Sequence, residues 1–182
     1  EDGIKVVLTG EGADETHLGY NIFKETFIRM KWCNLNSFER EEAILSLYPY
    51  LHHFNKKNIK ALVAQFENSI DDTNSLFFSH ELRFRNSVLS QLLLTQEKHF
   101  ENEFSTYLSS KRDLLEKLNP IEKAQVLEFT TLLQGYLLSS QGDRVSLANS
   151  VENRAPFLDY KLVEFLKSVP YEFKLSKKLD EK

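Results

Sequence analysis

The sequence predicts a predominantly α-helical piece of an α/β domain, with one short strand over residues 4–9. Three observations carry that expectation. Ile4, Val6, Val7 and Leu8 form a short apolar run with β-branched members, which suits a buried strand. Thr9, Gly10 and Gly12 break the run at once, and Ala13 to Tyr20 can then turn into a helix. Most of the remaining chain repeats its apolar residues at helical spacing, and no second convincing parallel strand follows. A strand of an open sheet needs neighbours, so the chain is expected to be part of a larger protein.

The helices follow in order. Phe23, Phe27 and Met30 predict a helix to about Trp32, with its apolar face on the strand. Ser37 is the expected N-cap of the next helix, with Glu39, Glu41 and Glu42 placed favourably near its start and Pro49 as its stop. Asn55 can cap a third, in which Ile59, Leu62, Val63, Phe66 and Ile70 form a stripe. Residues 71–75 read as a polar loop and 82–94 as a helix. Phe100, Phe104, Tyr107 and Leu108 form another stripe. Arg112 to Leu118 predicts a short helix closed by Asn119-Pro120, and a long helix should run from Ile121 to about Ser139. Leu162, Phe165, Leu166 and Val169 give the last stripe, capped by Asp159 and stopped by Pro170. The charged end from Lys174 to Lys182 is expected to fray.

With 182 residues the chain can bury one sizeable core. Its net charge of −4 comes without a basic stripe, which argues against a nucleic-acid partner. No apolar run approaches membrane-spanning length, and the first residues do not read as a secretory signal. The single Cys33 excludes an intramolecular disulfide and fits a reducing, cytoplasmic setting. Its expected role is a small buried or half-buried apolar residue. His52 and His53 are adjacent, so on a helix they point about 100° apart and do not easily share one ion. His80 and His99 have no ligand partner at useful spacing.

A strand, a glycine turn and a helix start form the arrangement with which an open α/β sheet presents a ligand at its carboxyl edge. The Gly10-Glu11-Gly12 turn is neither a dinucleotide fingerprint nor a Walker loop. Glu11, Asp14 and Glu15 place three carboxylates within five residues, and these would repel phosphate unless a cation lay between. On this chemistry alone a solvated acidic loop outweighs a Mg²⁺-bridged nucleotide site. A second constellation spans 141–159, where Asp143, Arg144, Glu152, Arg154 and Asp159 stand among small residues that include Ser146. It can be a buried ion-pair network fixing a long connection, or the wall of a polar pocket. In the pocket reading, Arg144 or Arg154 would grip a carboxylate in a bidentate way.

VVLTGEGADE…GY resembles the start of the second half of the synthetase domain in glutamine-hydrolysing asparagine synthetases. YLLSSQGDRVSLANSVENRAPFLDYKLVEF at 136–165 is similar to that family's other signature block, and FSHELRF at 78–84 looks like the long helical insert of bacterial members. The resemblance implies an adenine-nucleotide α-hydrolase-like (ATP pyrophosphatase) fold. It also implies that ATP and Mg²⁺ convert aspartate to asparagine through β-aspartyl-AMP, with ammonia supplied from glutamine. Thr9 and Gly10 then match nucleotide-contacting positions, Glu11 the acidic residue that forms or uses the acyl-adenylate, and Asp14 a Mg²⁺ ligand. Gly12, Glu15, Asp143, Arg144, Ser146, Glu152 and Arg154 remain candidates for substrate contact or the pocket wall. The aminoterminal glutaminase domain and the Ser-Gly-Gly-x-Asp-Ser pyrophosphate loop of the family are not in the sequence, so the chain alone is expected to be inactive. An exposed strand edge would also favour self-association. Glu11 favours amidation over a β-lactam synthetase, which carries tyrosine there. Thr16-His17-Leu18 departs from the aromatic and glycine usual in the family. That departure leaves the acceptor open and keeps a non-catalytic helical interaction module as an alternative.

Overall fold

Two short strands run parallel in the computed structural model, which describes residues 3–47, 56–67, 106 and 109–175. Strand β1 is Val6–Leu8 and pairs with β2, Glu152–Arg154, in the register Val6↔Glu152, Val7↔Asn153, Leu8↔Arg154. The expectation of one strand over 4–9 is thus corrected twice: β1 is shorter, and it has a parallel partner. Glu152-Asn153-Arg154 has no strand-forming composition. Backbone bonding to β1 makes it a strand, with Glu152 N donating to Lys5 O at 2.7 Å and Thr9 N donating to Arg154 O at 2.9 Å. Side chains alternate across the pair. Val6, Leu8, Glu152 and Arg154 are exposed on one face, while Val7 and Asn153 are half-buried on the other. The expected buried strand is therefore not found: Leu8 is 72% exposed and Ile4 60%.

The chain divides into two units, Glu1–Lys24 with Gln125–Lys182, and Glu25–Ala124. In the first, α1 (Ala13–His17) starts at Gly12 with φ +87° and ends at Leu18 with φ +60°. Gly19 N donates back to Asp14 O at 2.9 Å, so the helix expected to continue through Tyr20 is broken here. The left-handed backbone at Leu18 is one that glycine adopts without strain, and burial of the leucine side chain offsets that strain. Helix α2 (Asn21–Lys31) follows.

The long helical run later in the chain begins with α6 (Pro120–Leu127). It opens with proline and a reciprocal cap: Glu122 N donates to Asn119 Oδ1 at 3.0 Å and Asn119 N to Glu122 Oε2 at 2.9 Å. The run widens to π geometry over Glu128–Asp143 and returns to α in α7 (Arg144–Ala148), past the expected end at Ser139. Where it widens, Thr130 and Thr131 hydroxyls donate to Val126 O (2.8 Å) and Leu127 O (2.6 Å), competing with the normal ladder. A 3₁₀ turn over Pro156–Leu158 leads to α8 (Tyr160–Ser168). Asp159 caps α8 as expected, accepting from Lys161 N at 3.0 Å and Leu162 N at 3.3 Å. Leu166 is buried, but Phe165 of the predicted stripe is exposed. The short α9 (Tyr171–Lys174) buries Lys174, and Leu175 beside it, so the frayed end does not start there. Leu18, Ile22, Phe23, Leu127 and Leu133 are the deepest apolar residues of this unit.

The second unit is helical in its described residues. A 3₁₀ turn over Trp32–Asn34 leads to α3 (Ser37–Leu47), and α4 (Lys56–Glu67) packs on α3. Asn36, not Ser37, caps α3. Its Oδ1 accepts from Phe38 N (2.9 Å) and Glu39 N (3.1 Å), and Glu39 returns a carboxylate to Asn36 N (2.8 Å). Ile44, Leu47, Ile59 and Phe66 are buried, and Trp32 lies 4.7 Å from Phe66 between ring centroids. The buried Arg29 guanidinium sits 3.9 Å over the Phe66 ring and bonds Glu25 at 2.9 Å. Arg40 and Trp32 both reach Glu67, at 2.6 and 3.3 Å. The predicted face of α2 is corrected: Met30 is exposed, and Phe27 is half-buried under the Lys31 ammonium, at 3.8 Å. Cys33 is exposed rather than buried, because the 3₁₀ turn spends its inward position on Trp32. The short helix α5 is Arg112–Leu115.

Pro49, His52, His53, Asn55, Ile70, the loop 71–75, the helix 82–94, FSHELRF with His80, His99 and the Phe100–Leu108 stripe lie outside the described residues, as does the chain beyond 175. Among the described residues no helix is long and apolar enough to cross a membrane.

Candidate functional site

The turn 9–12 leaves the carboxyl end of β1 and is held from both sides. Thr9 N is bonded to Arg154 O, extending the ladder one residue past the strand, and Ala13 N donates to Gly10 O at 3.0 Å. Gly12 packs against Leu158, where a Cβ would lie 2.7 Å from Leu158 Cγ. Thr16 N and Oγ1 both donate to Gly12 O, at 3.0 and 2.7 Å. His17 Nδ1 lies 3.0 Å from Ala13 O, and the ring meets Phe157 edge-on at 5.8 Å between centroids. The residues 9–17 and 154–158 therefore meet in space, although some 140 positions separate them in the chain. Thr16-His17-Leu18, unusual in the sequence, is the segment that fastens the turn.

The three carboxylates divide. Glu11 is half-exposed and Asp14 exposed, with Asp14 Oδ1 against the Gly19 α-carbon. Glu15 is 1% exposed and turns away from solvent, accepting from Tyr20 Oη at 3.0 Å while Gln125 Nε2 donates to Glu15 O at 2.7 Å. Burial raises the Glu15 pKa above the ordinary carboxylate value against the lowering effect of its hydrogen bonds, and the charges of Asp14 and Glu11 add to the rise. Burial and then the Glu15 charge raise Tyr20. Glu15 thus lies buried behind the turn, apart from the accessible Glu11 and Asp14. A carboxyl whose folded pKa is raised favours the fold below its unfolded value, and that contribution is lost as pH rises through the folded one. We expect Glu15→Gln, which keeps an acceptor for Tyr20, to melt a few degrees above wild type at pH 7. The difference should vanish at pH 4 and below; an equal gap at both pH values in thermal unfolding would contradict it.

The second constellation is not one buried network. Glu152 and Arg154, two apart on a strand, share its exposed face and pair at 2.6 Å. The Arg154 bond holds the Glu152 carboxyl below its usual range, and Glu152 raises Arg154 in turn. Asp143 and Arg144 are exposed at the end of the long helix, and α7 packs against β2. Ser146 is half-buried, with its carbonyl accepting from Asn149 N at 3.1 Å and Val151 N at 2.9 Å. Sequence reasoning missed Asn153, the residue between the ion pair that faces inward; only the period-two alternation of a strand could have singled it out. Its Oδ1 and the Thr9 hydroxyl oxygen are buried without a hydrogen-bond partner.

Among the described residues no three acidic, histidine or cysteine side chains gather as a metal cage. Asp14, an exposed carboxylate of the turn, suits an ion that takes most of its ligands from phosphate oxygens and water. Mg²⁺ is such an ion, because it keeps several waters and takes one or two carboxylates.

The asparagine synthase family model matches residues 1–182. The chain is 25% identical to amidase chyE of Penicillium rubens over 99% of its length and 28% of the relative's. It is 26% identical to amidase chry2 of Gibberella zeae over 95% and 27%. To asparagine synthetase [glutamine-hydrolyzing] 1 of Bacillus subtilis it is 29% identical over 94% and 26%. The chain thus spans about a quarter of the length of the curated relatives it matches. No solved structure matches it significantly. The turn after a parallel strand, its junction with the Pro-Phe-Leu-Asp segment and a family match along the whole length agree: the chain belongs to the asparagine synthase family.

Proposed function

We propose that this chain is part of an ATP-dependent, amide-forming synthetase that converts aspartate to asparagine. The observation that supports this best is the junction of the Glu11 turn with residues 152–158 at the carboxyl edge of a parallel pair, where open α/β sheets take their ligands. An oxygen of the aspartate β-carboxylate attacks the α-phosphorus of ATP, and the bond to the bridging oxygen breaks to release pyrophosphate. The nitrogen of ammonia then attacks the acyl carbon of β-aspartyl-AMP, and AMP leaves with the oxygen. The attacking nitrogen must shed a proton, and the half-exposed Glu11 carboxylate is the group of the turn suited to take it. Thr9 and Gly10, the residues next to it, would line the nucleotide. Mg²⁺, held by Asp14 with phosphate oxygens and water, would neutralise the departing pyrophosphate. Ammonia from glutamine, a glutaminase domain and the pyrophosphate loop would be supplied by parts of the protein outside this chain. A cytoplasmic setting fits this chemistry.

A second reading keeps the chemistry and changes the acceptor carboxylate. It is favoured by the relatives named amidases, which align along 95% and 99% of the chain. Both readings are tested by following AMP and pyrophosphate from ATP in the full-length protein with glutamine or ammonium. Release that requires aspartate and matches asparagine one for one is the expected result. Release driven by another carboxylic acid and not by aspartate selects the second reading, and no cleavage to AMP and pyrophosphate under any acceptor rejects both. The 182-residue chain alone should form no asparagine.

A further inference from the structure

We propose that Asn153 is a nucleotide-contacting residue. With the Thr9 hydroxyl, its carboxamide would take a hydrogen-bond-donating group of the adenosine moiety at the carboxyl edge of the β1–β2 pair. The inference rests on the ATP-dependent reading above and adds a residue and a ligand group to it.

Register puts the two side chains on one face. Asn153 stands opposite Val7, and Thr9 lies two residues beyond Val7, so both fall on the half-buried face of the pair. The bond from Thr9 N to Arg154 O carries the ladder to Thr9 and fixes that register. On this face Thr9 Oγ1 and Asn153 Oδ1 are both buried without a hydrogen-bond partner. An unpaired buried polar atom is costly, and two on one face at a ligand edge call for a partner that supplies donors. Gly142 lies close behind the carboxamide: a Cβ there would lie 3.0 Å from Asn153 Nδ2 and 3.2 Å from Leu137 O. Gly142 belongs to the π segment, a distortion that recurs at functional sites.

The chemistry of the pair selects the part of the nucleotide. The unpaired Asn153 oxygen accepts and cannot donate, and phosphate oxygens also accept, so it has no use for phosphate. Its partner must donate. On adenosine the donors are the exocyclic amine of the base and the ribose hydroxyls, and an Asn amide complements the amine edge of adenine well.

The test uses the full-length protein, the variants Asn153→Leu and Asn153→Ala, and calorimetric binding of three ligands: ATP, 2′,3′-dideoxy-ATP, which lacks both ribose hydroxyls, and purine-riboside triphosphate, which lacks the amine. Asn153→Leu is expected to weaken ATP roughly 3- to 10-fold. It should melt no lower than wild type, because an apolar side chain replaces an unpaired acceptor. The loss should disappear for whichever analogue lacks the contacted group, which separates base from sugar. Asn153→Ala should show the same pattern and guards against a steric effect of leucine. Variants that bind ATP like wild type, or that lose equally on all three ligands, overturn the inference and leave the proposed function standing. A wild-type protein that binds none of the three overturns both.

Discussion

Glu11→Gln in the full-length protein is expected to lower amide formation about 10²- to 10⁴-fold with the fold intact. Glu11 sits between Gly10 and Gly12 at the carboxyl end of β1, half-exposed, with the buried Glu15 behind it in sequence. The substitution keeps the shape and the hydrogen-bonding capacity of the side chain but removes its charge and basicity. If Glu11 takes the proton from the attacking nitrogen, amide formation suffers while glutamine hydrolysis, carried out elsewhere in the protein, survives at least in part. The measurement is paired, with amide and pyrophosphate production on one side and glutaminase activity and thermal unfolding on the other. Near-normal synthesis by a folded variant would remove Glu11 from the mechanism. Loss of stability together with both activities would assign this turn a structural role.

Gly12→Ala is expected to destabilise the protein by about 2–4 kcal/mol. In a chain of this size that is a fall in Tm of roughly 5–15 °C. Two costs add. The backbone at Gly12 has φ +87°, which an L side chain adopts only with strain. A Cβ would also run into Leu158, at 2.7 Å from Cγ as well as at the nearer Cδ2, so the whole leucine side chain must move. Because Leu158 follows β2, the displacement reaches the segment that completes the turn. Thermal unfolding of Gly12→Ala beside the double variant Gly12→Ala/Leu158→Ala checks the account. Measured against Leu158→Ala alone, the Gly12→Ala change should cost less than it does in the wild type if packing contributes; an equal cost in both backgrounds would reduce the effect to backbone strain alone.

Most of the helices were legible because they depend on local signals. The Asp159 cap, the Pro170 stop, the Ile59 and Phe66 face of α4 and the start of the helix at 120 follow from residues three or four positions apart. The Gly10-Glu11-Gly12 turn after Val6–Leu8 was legible for the same reason, as a change of composition within a few residues. What the sequence by itself determined is this series of elements and the identity of two chemistry-bearing segments. Only the tertiary structure decided how those segments meet. Glu152-Asn153-Arg154 is a strand because β1 offers it a ladder, not because of its own residues. That pairing turns Glu152 and Arg154 outward onto each other and Asn153 inward, an orientation their own residue types do not encode. Among three carboxylates of similar sequence context, burial under Tyr20 and Gln125 withdrew Glu15 and left Glu11 and Asp14 accessible. Backbone pairing and burial depend on residues far away along the chain, and no local pattern of apolar or charged residues encodes them.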